Sequence, residues 1–442
     1  MEKMTGNTAK SYVEYDNFAD HVDEVCKVKG IIHRIREMSD FAFVILRTSR
    51  DEVQCIMSKE FAGYEKAENV VENASVVITG KIVKDQTRDD RFELQIHDIE
   101  VVSSPKEMMP ITINKKKLDV PLDTNLTLRP ISLRNPKERA IFKVQEAIAR
   151  GFREYLTKKE FTEIRTPKIV FAGAEGGSNI FKLDYFGKEV FLTQSPQFYK
   201  QTMVGVFEKV FEIAPVFRAE KHDTSRHLNE YISMDFEMGF IDGFEDIMQM
   251  ETGALQYILN LLKTEYAKEV ALLNIDMPSA DNIPVIKFMD AKELISKKFK
   301  RPIHDYDDFE PEEEVLLSKY AKKELGSDFI FVTHYPSRKR PFYAMEDPAD
   351  TEYTLSFDLL FRGMEITTGG QRIHDYDMQV AKMERLGMNV EDFDTYLMLH
   401  KYGVPPHGGL GLGLERLTMK LLNFQNVRFA SLFPRDINRV TP

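Results

Sequence analysis

A glycine-rich stretch near the end of the sequence constrains the fold more than any other feature. In residues 407–416, HGGLGLGLER, glycine alternates with leucine before an arginine. This alternation predicts a strand whose glycine face lets a ligand or another backbone approach closely. Leu414, Leu417 and Leu421 then recur at helical spacing, so a helix is predicted directly after the strand. A simple bend before a core helix is the alternative, whereas a dinucleotide-binding motif is excluded because no strand-helix-strand pattern follows.

The first hundred residues show the pattern of short strands. Five runs carry it, namely VKGIIHRI, FAFVILRT, EVQCIMS, SVVITGKIV and FELQIHDIEVVS. An amphipathic segment at 58–72 separates the third run from the fourth. Five strands with a helix in this place predict an OB-fold barrel, a fold that often binds single-stranded nucleic acid by stacking bases on aromatic side chains. Phe41 and Phe43 share one face of their strand and are the candidate platforms, with barrel core as the alternative role.

The remainder of the sequence predicts a second, larger domain. Residues 105–135 contain prolines and a lysine-rich stretch, and we interpret them as a linker between the barrel (1–104) and a domain at 136–442. There, helical periodicity gives way to alternating strands with few regular crossovers. We therefore predict an α+β fold, in which the OB-fold barrel precedes a large antiparallel β-sheet flanked by helices. The segment 270–330 looks more variable, and its acidic stretch at 305–314 is predicted to be a solvated surface loop.

Composition narrows the class of protein only modestly. The 442 residues carry a formal net charge of −11, which argues against nonspecific nucleic-acid binding but leaves room for local basic surfaces. Two cysteines argue against a disulfide framework or a zinc site. The first residues lack the apolar centre of a signal peptide, and no run approaches the length of a membrane span. We expect a cytoplasmic protein that does not bind membranes.

A predicted hairpin carries the first cluster of charged side chains. Its first strand places Arg218 and Glu220 on one face, and its second strand does the same for Asp235 and Glu237. A polar loop that contains Arg226 joins the two strands. The functional interpretation is an anionic ligand held by the arginines, because a planar guanidinium fork suits phosphate. A ladder of salt bridges on a solvent-exposed face is the alternative.

Two further segments supply ligands for a metal and for an amino acid. In MEITTGGQR, Glu365 lies three residues before the hydroxyl of Thr368, and such oxygens suit Mg²⁺. In QSPQFYK, Lys200 could pair with a carboxylate, while Glu175 upstream could pair with an ammonium group. A glycine bend and an exposed helix lysine are the alternatives. Because no nucleophile is placed by its spacing, the implied chemistry is attack by a substrate carboxylate on a nucleotide phosphate, which needs positioning and charge neutralisation.

Three motifs in order resemble the class II aminoacyl-tRNA synthetases. The helix before Pro167 resembles motif 1, FRAEKHDTSRHLNEY resembles motif 2 and GLGLGLER resembles motif 3. The segments QSPQFYKQ, EITTGGQRIHDYD and LFPRDINRVTP resemble the aspartate-specific members of archaeal and eukaryotic type. The resemblance covers essentially the whole sequence. It implies a homodimer with an interface built by motif 1, and it implies ATP, L-aspartate, tRNA(Asp) and Mg²⁺ as ligands.

The resemblance also implies a role for each matching residue. The implied catalytic residues are Arg218, Arg416 and Glu365, and the implied Mg²⁺ ligands are Glu365 and Thr368, where many relatives have serine. The implied aspartate-binding residues are Glu175, Gln197, Phe198, Tyr199, Lys200, Asp235, Tyr343, Thr368 and Arg372. The implied ATP-binding residues are Arg218, Ala219, Glu220, Arg226, His227, Leu228, Glu365, Gly413, Leu414, Glu415 and Arg416. The implied anticodon-binding residues are His33, Phe43, Gln54, Asp89 and Glu93.

Three rival functions share parts of this pattern. Asparaginyl-tRNA synthetases have the same fold and chemistry, but Lys200 favours a carboxylate over an amide. A synthetase-like RNA-binding protein without catalysis would have lost Arg218, Glu365 or Arg416, and all three are present. A paralogue that amidates aspartate with ATP and ammonia usually lacks the anticodon barrel, which this sequence keeps.

The choice of tRNA is a finer question. Discriminating enzymes of the archaeal type often carry tryptophan where this sequence has His33, and lysine where it has Asp89. Both differences imply charging of tRNA(Asn) as well as tRNA(Asp), with neutral drift at the barrel rim as the alternative. An amidotransferase would then consume the misacylated Asp-tRNA(Asn).

Overall fold

The computed structural model of the chain divides into two compact units, Met1–Lys116 and Lys117–Pro442. The division lies inside the segment predicted as a linker. Two predicted site residues, Asp89 and Glu175, and most of the predicted helix at 58–72 lie outside the described residues, which are 12–49, 51–60, 70–85, 91–171 and 179–442. None of the helices in these ranges combines the length and apolar character that a membrane-spanning helix needs.

The first unit contains a closed five-stranded barrel after a short 3₁₀ helix, Tyr15–His21. Its strands are β1 (Val25–Glu37), β2 (Phe41–Arg47), β3 (Glu52–Ser58), β4 (Ser75–Lys84) and β5 (Phe92–Ser103). They neighbour one another in the order β1-β2-β3-β5-β4, and β3 pairs parallel with β5. Strand alternation fills the interior with buried side chains such as Val44, Leu46 and Ile78. The barrel predicted from the five runs is confirmed.

The second unit is built from an eight-stranded sheet and its surrounding helices. Its helices are α1 (Leu122–Thr127), α2 (Arg129–Ser132), α3 (Pro136–Lys158), α4 (Gln197–Phe207), α5 (Glu245–Thr264), α6 (Ala267–Leu273), α7 (Phe288–Phe299), α8 (Pro311–Leu325), α9 (Tyr376–Arg385), α10 (Asp394–Lys401) and α11 (Leu414–Leu421). Its strands are β6 (Thr162–Glu163), β7 (Ile169–Val170), β8 (Lys182–Tyr185), β9 (Lys188–Leu192), β10 (Lys209–Phe217), β11 (Glu230–Gly239), β12 (Val285–Lys287), β13 (Phe329–Thr333), β14 (Glu346–Asp347), β15 (Asp350–Thr354), β16 (Ser356–Phe361), β17 (Met364–Gln371) and β18 (His407–Gly413). Short 3₁₀ helices occupy Ser337–Lys339, Val390–Phe393 and Val427–Ala430.

The large sheet is mainly antiparallel, as predicted, and it has one parallel pair at each edge. Its strand order is β12-β13-β16-β17-β18-β11-β10-β6. The six central strands pair antiparallel, whereas β12 and β6 at the two edges pair parallel with their neighbours. The chain passes from β6 to β10 through α4, and from β12 to β13 through α7 and α8. A helical crossover returns the chain in the same direction, so these edge pairs are parallel.

Helix α3 covers the sheet and carries much of the apolar core. Its start is capped by Asn135, whose side chain accepts hydrogen bonds from the next backbone N–H groups. Ile148 and Phe152 of this helix join the core cluster that contains Phe236 of β11. At Gly151 the helix passes so close to α5 that an added Cβ would lie 2.9 Å from a side-chain carbon of Ile258. The apolar core therefore packs against one face of the sheet, and the site described below lies on the opposite face.

The acidic stretch at 305–314 is only partly the solvated loop that was predicted. Helix α8 starts inside it, with a capping box between Glu310 and Glu313. Glu313 and Glu314 are 1% and 8% exposed. The Glu313 carboxylate lies 2.6 Å from the Nζ of Lys292, which is itself buried. The prediction of a solvated loop rested on the number of charged residues in this stretch. It missed the apolar face of helix α8, beside which these carboxylates are buried with their partners.

Candidate active site

A cavity of about 610 Å³ in the second unit collects most of the predicted site residues. It opens on the face of the sheet formed by β11, β17 and β18, and it is bounded by the start of α4, the loop after β10 and the start of α11. The predicted site residues that line it are Gln197, Lys200, Arg218, Glu220, Arg226, His227, Leu228, Asp235, Tyr343, Glu365, Thr368, Arg372, Gly413, Glu415 and Arg416.

The glycines of β18 make room for the acidic side chains of β11. Gly409 pairs with Glu237 and Gly411 pairs with Asp235 across the two strands. A Cβ at Gly409 would collide with the Glu237 carboxylate, and one at Gly411 would lie 3.1 Å from an Asp235 oxygen. Part of the glycine pattern therefore accommodates the acidic pair and does not face a ligand directly.

Lys200 forms the centre of a buried charge cluster. Its side chain is 2% exposed, so the alternative of an exposed helix lysine is wrong. Its Nζ lies 2.9 Å from Asp235 Oδ1 and 3.4 Å from Glu237 Oε2, and it donates a hydrogen bond to the carbonyl of Leu410 at 2.9 Å. A buried lysine keeps its charge only when such partners replace water. The cluster thus presents a fixed cation at the cavity wall.

Arg372 adds a second buried cation beside the first. Its Nε donates to Glu237 Oε1 at 2.9 Å and its Nη2 to the carbonyl of Gly409 at 2.9 Å. The guanidinium carbon lies 5.3 Å from the ring centroid of Tyr343. Burial alone would raise the pKa of Glu237, but the charges of Arg372 and Lys200 outweigh burial, and its pKa is lowered. Glu237 is therefore an ionised anchor that holds both cations in place.

Arg218 and Glu220 lie beyond the strand on which they were predicted. Strand β10 ends at Phe217, where its pairing with β11 stops. The backbone after it is held by Asn229, whose side-chain amide donates to the carbonyl of Arg218 at 2.7 Å and to that of Glu220 at 3.1 Å. The Arg218 guanidinium lies over the ring of Tyr231, 5.8 Å from its centroid. This clamp directs both side chains into the cavity although neither belongs to a strand.

Glu365, Thr368 and Arg416 meet at the same cavity wall. The Thr368 hydroxyl donates to Glu365 Oε1 at 3.2 Å, and Arg416 Nη1 lies 3.3 Å from the same oxygen. Arg416 also donates to the backbone carbonyl of Glu365 at 3.1 Å. A carboxylate and a hydroxyl that face a cavity are oxygen ligands of the kind that Mg²⁺ accepts alongside phosphates and water. The donor set fits the metal that was predicted here.

Four residues that the resemblance assigned to the site lie outside the described cavity lining. Phe198 packs in an apolar cluster, with its ring centroid 4.8 Å from that of Tyr396. Leu414 belongs to the main core. Tyr199 and Ala219 also lie outside the cavity lining. A resemblance transfers contiguous segments, whereas a helix or a loop turns only some of its side chains toward the cavity.

Arg340 is a lining residue that the sequence analysis missed. It lies 2.8 Å from Asp358 of β16, and its guanidinium carbon lies 4.0 Å above the ring of Tyr335. Its position three residues before Tyr343 was the available signal. Arg340 stands in a polar run, SRKR at 337–340, which contains no pattern that indicates a buried partner, so spacing alone could not assign it.

The predicted anticodon residues that the structure describes lie on the strands of the barrel, and two of them, His33 and Glu93, are buried. Phe41 and Phe43 are half-buried, and their rings meet edge-on with centroids 5.0 Å apart. Gln54 donates a side-chain hydrogen bond to Glu93 on the neighbouring strand. His33, however, is 5% exposed and lies 3.3 Å from Glu52, at a bulge of β1. His33 is therefore a buried residue of the barrel.

The buried His407 at the start of β18 makes the stability of the second unit depend on pH. Its Nδ1 and Nε2 lie 2.9 Å from the carbonyl of Pro405 and the amide of Gln201, which suits the neutral ring. Burial lowers its pKa to about 4. The unfolded chain binds this proton below about pH 6.5, so the free energy of unfolding should fall by about 3 kcal/mol between pH 6.5 and 4 through this group. In urea unfolding, His407→Gln should lose that part of the pH slope, and the exposed His304→Gln should keep it. An unchanged slope in His407→Gln would contradict this assignment.

The chain matches two family models. Residues 121–437 match the tRNA synthetases class II (D, K and N), and residues 26–102 match the OB-fold nucleic acid binding domain. The chain is 44% identical over 428 residues to an aspartate–tRNA(Asp/Asn) ligase of Deinococcus radiodurans, covering 96% of this chain and 97% of the relative. It is 38% identical over 421 residues to an aspartate–tRNA(Asp) ligase of Pyrococcus abyssi, covering 94% and 96%.

Solved structures of the same fold include enzymes of two specificities. Asparaginyl-tRNA synthetase from Pyrococcus horikoshii, complexed with asparaginyl-adenylate, superimposes with a TM-score of 0.87 at 31% identity and covers 96% of this chain and 97% of its own. Aspartyl-tRNA synthetase from Entamoeba histolytica gives a TM-score of 0.85 at 29% identity and covers 98% and 93%. Enzymes of both specificities therefore share this backbone fold. The choice between aspartate and asparagine must depend on the side chains of the cavity.

Proposed function

Because this chain belongs to the class II tRNA synthetases of the D, K and N group, we propose that it activates L-aspartate with ATP and transfers the aspartyl group to tRNA(Asp). The observation that carries the choice of substrate is the pair of buried cations, Lys200 and Arg372, at one wall of the cavity. The OB-fold barrel supplies the surface for the anticodon.

The two cations favour a carboxylate side chain over an amide. Lys200 and Arg372 are held by Asp235 and Glu237, and both cations also line the cavity. A substrate carboxylate gains charge-assisted hydrogen bonds from both groups. An amide would gain less, and its NH₂ group would face N–H donors. Aspartate is therefore the preferred substrate, and asparagine is the competitor that these residues reject.

The remaining lining residues suit ATP. Arg218 faces the α-phosphate, Arg416 stacks on the adenine and Glu220 accepts a hydrogen bond from the adenine amino group. An oxygen of the aspartate α-carboxylate attacks the α-phosphorus in line, and the bond to pyrophosphate breaks. Arg218 stabilises the negative charge that builds on the phosphate oxygens. The terminal ribose hydroxyl of the tRNA then attacks the carbonyl of the aspartyl-adenylate, and AMP leaves.

Glu365 and Thr368 would hold Mg²⁺ in this site. The metal, when bound, neutralises charge on the phosphates and helps to orient them. Arg416 approaches the same carboxylate, so the metal ligands and the adenine-stacking residue are positioned together.

A homodimer is part of the proposal. Helix α3 and the segment after it match motif 1, which builds the dimer interface in the family. Ile169 and Phe171, just beyond that helix, are 47% and 77% exposed. Exposed apolar side chains of this size favour burial against a second copy.

We further propose that tRNA(Asn) is a second substrate, and aminoacylation of both purified tRNAs with aspartate tests this. The basis is His33 at a position where discriminating enzymes often carry tryptophan, together with the relatives named as aspartate–tRNA(Asp/Asn) ligases. Wild-type protein should charge both tRNAs. Because tryptophan is larger than the buried histidine, His33→Trp should change the nearby barrel surface and reduce charging of tRNA(Asn) by about tenfold more than that of tRNA(Asp). The exposed His97→Trp is the control.

The outcomes of this assay separate the alternatives. No measurable charging of tRNA(Asn) would show that the enzyme is specific for tRNA(Asp). Faster charging with asparagine than with aspartate would identify an asparaginyl-tRNA synthetase instead. If tRNA(Asn) is charged with aspartate, the cell needs an amidotransferase that converts the product to Asn-tRNA(Asn).

A further inference from the structure

An ion pair behind the cavity links the loop of motif 2 to helix α8. The guanidinium of Arg226 lines the cavity, and its Nη2 is bonded to Oε2 of Glu314. The two side chains are 20% and 11% exposed. Glu314 therefore stands behind Arg226, in a segment that the sequence analysis predicted to be a solvated loop.

Glu314 sits among the charged groups of the proposed ATP site. Burial raises its pKa to about 7; Arg226 and Arg416 act to lower it, and Glu365 acts to raise it. The charge of Glu314 also acts to raise the pKa of Lys420 on α11. The carboxylate thus interacts with motif 2, motif 3 and the proposed metal ligand at once. A surface charge with no role in the site would not be expected in this position.

Helix α8 gives Glu314 a rigid support, whereas Arg226 lies on a loop. The capping box fixes the first turn of the helix. Next to Glu314, Val315 packs against the turn between β16 and β17, where a Cβ at Gly363 would lie 3.1 Å from its side chain. Gly363 has a φ of +82°, which favours glycine. The same turn leads into Glu365, so the helix start and the proposed metal ligand share one support.

The geometry of the pair leaves Arg226 able to bind phosphate. A guanidinium carries five N–H donors in a planar fork, and the pair with Glu314 uses Nη2. Within the described part of the chain, the other side-chain donors of Arg226 bond to no acceptor, so they can meet an anionic oxygen. A long loop arginine normally loses rotamer freedom when it binds a ligand. Arg226 has already lost much of that freedom in the ligand-free protein.

We propose that Glu314 is a positioning residue for ATP, which orders Arg226 before the triphosphate arrives. The proposal rests on the ATP site proposed above. Preorganisation of this kind strengthens binding and does not act on the chemical step. Its signature is therefore a change in the KM for ATP with little change in kcat.

Steady-state ATP–pyrophosphate exchange with Glu314→Gln tests this role. The KM for ATP should rise about tenfold, while kcat stays within about twofold and the KM for aspartate is unchanged. Glu314→Asp keeps the charge and should restore part of the loss. The control on the same helix is Glu324→Gln, which breaks the exposed pair with Lys298 at the far end of α8, away from the cavity. It should leave the KM for ATP as in the wild type.

A double-mutant cycle shows whether the effect passes through Arg226. Arg226→Ala alone should raise the KM for ATP, and adding Glu314→Gln should raise it no further. Additive effects, an unchanged KM in Glu314→Gln, or an equal rise in Glu324→Gln would each overturn the positioning role. If the wild-type protein shows no aspartate-dependent exchange, the proposed function fails instead, so the two failures are distinguishable.

Discussion

Replacing Arg218 with alanine is expected to reduce aspartate-dependent ATP–pyrophosphate exchange by about a thousandfold. The proposed reaction develops negative charge on the α-phosphate oxygens, and we propose Arg218, which the loop after β10 directs into the cavity, as the cation that stabilises this charge. The backbone of this loop is held by Asn229, so the substitution should remove the charge without moving the loop. Pyrophosphate exchange measures the first step alone and does not depend on the tRNA.

Two companion variants make the Arg218 result specific. Arg218→Lys keeps the charge but loses the planar fork, so it should recover only part of the activity. Arg385→Ala removes an exposed arginine that pairs with Glu346 outside the cavity lining, and it should leave exchange unchanged. Exchange within tenfold of the wild type in Arg218→Ala would mean that another group stabilises the phosphate.

The second large effect is expected for Lys200→Met, which removes a cation from the buried cluster. The KM for aspartate should rise by about a hundredfold, because the substrate carboxylate loses a charge-assisted partner. The free energy of unfolding should fall by about 3–5 kcal/mol, because Asp235 and Glu237 are left buried with one cation fewer. Exchange kinetics and denaturant unfolding measure the two effects separately.

Lys292→Met is the matched control for Lys200. Lys292 is also fully buried and paired with one glutamate, but it lies under α8, away from the cavity lining. It should destabilise the protein to a similar extent and leave the KM for aspartate near the wild-type value. An aspartate KM that stays within threefold in Lys200→Met would place the substrate carboxylate elsewhere.

The barrel and the glycine strand were predictable because local pattern determines them. Alternation with period two marks each barrel strand, and the spacing of Leu414, Leu417 and Leu421 marks α11. The parallel edges of the large sheet were not predictable in the same way. They depend on how the chain crosses over between β6 and β10 and between β12 and β13, which no single strand records.

The burial of charged side chains could not be predicted from the sequence. Lys200 sits in a helix segment typical of an exposed lysine, and its partners lie 35 and 37 positions further along the chain on β11. Glu314 lies in an acidic stretch, and its partner Arg226 is 88 positions away. Such pairs arise only when tertiary folding brings the elements together. Pattern alone therefore left Lys200 open between a carboxylate-binding residue and an exposed lysine, and it placed Glu314 in a solvated loop.

The most direct test of the proposed substrate is ATP–pyrophosphate exchange by the wild-type protein with aspartate, asparagine or lysine as the only amino acid. These are the substrates of the family to which the chain belongs. We predict exchange with aspartate at least about a hundredfold faster than with either competitor, because the cavity wall offers two fixed cations to a carboxylate. Faster exchange with asparagine or with lysine, or no exchange with any of the three, would contradict the proposal that the protein activates aspartate.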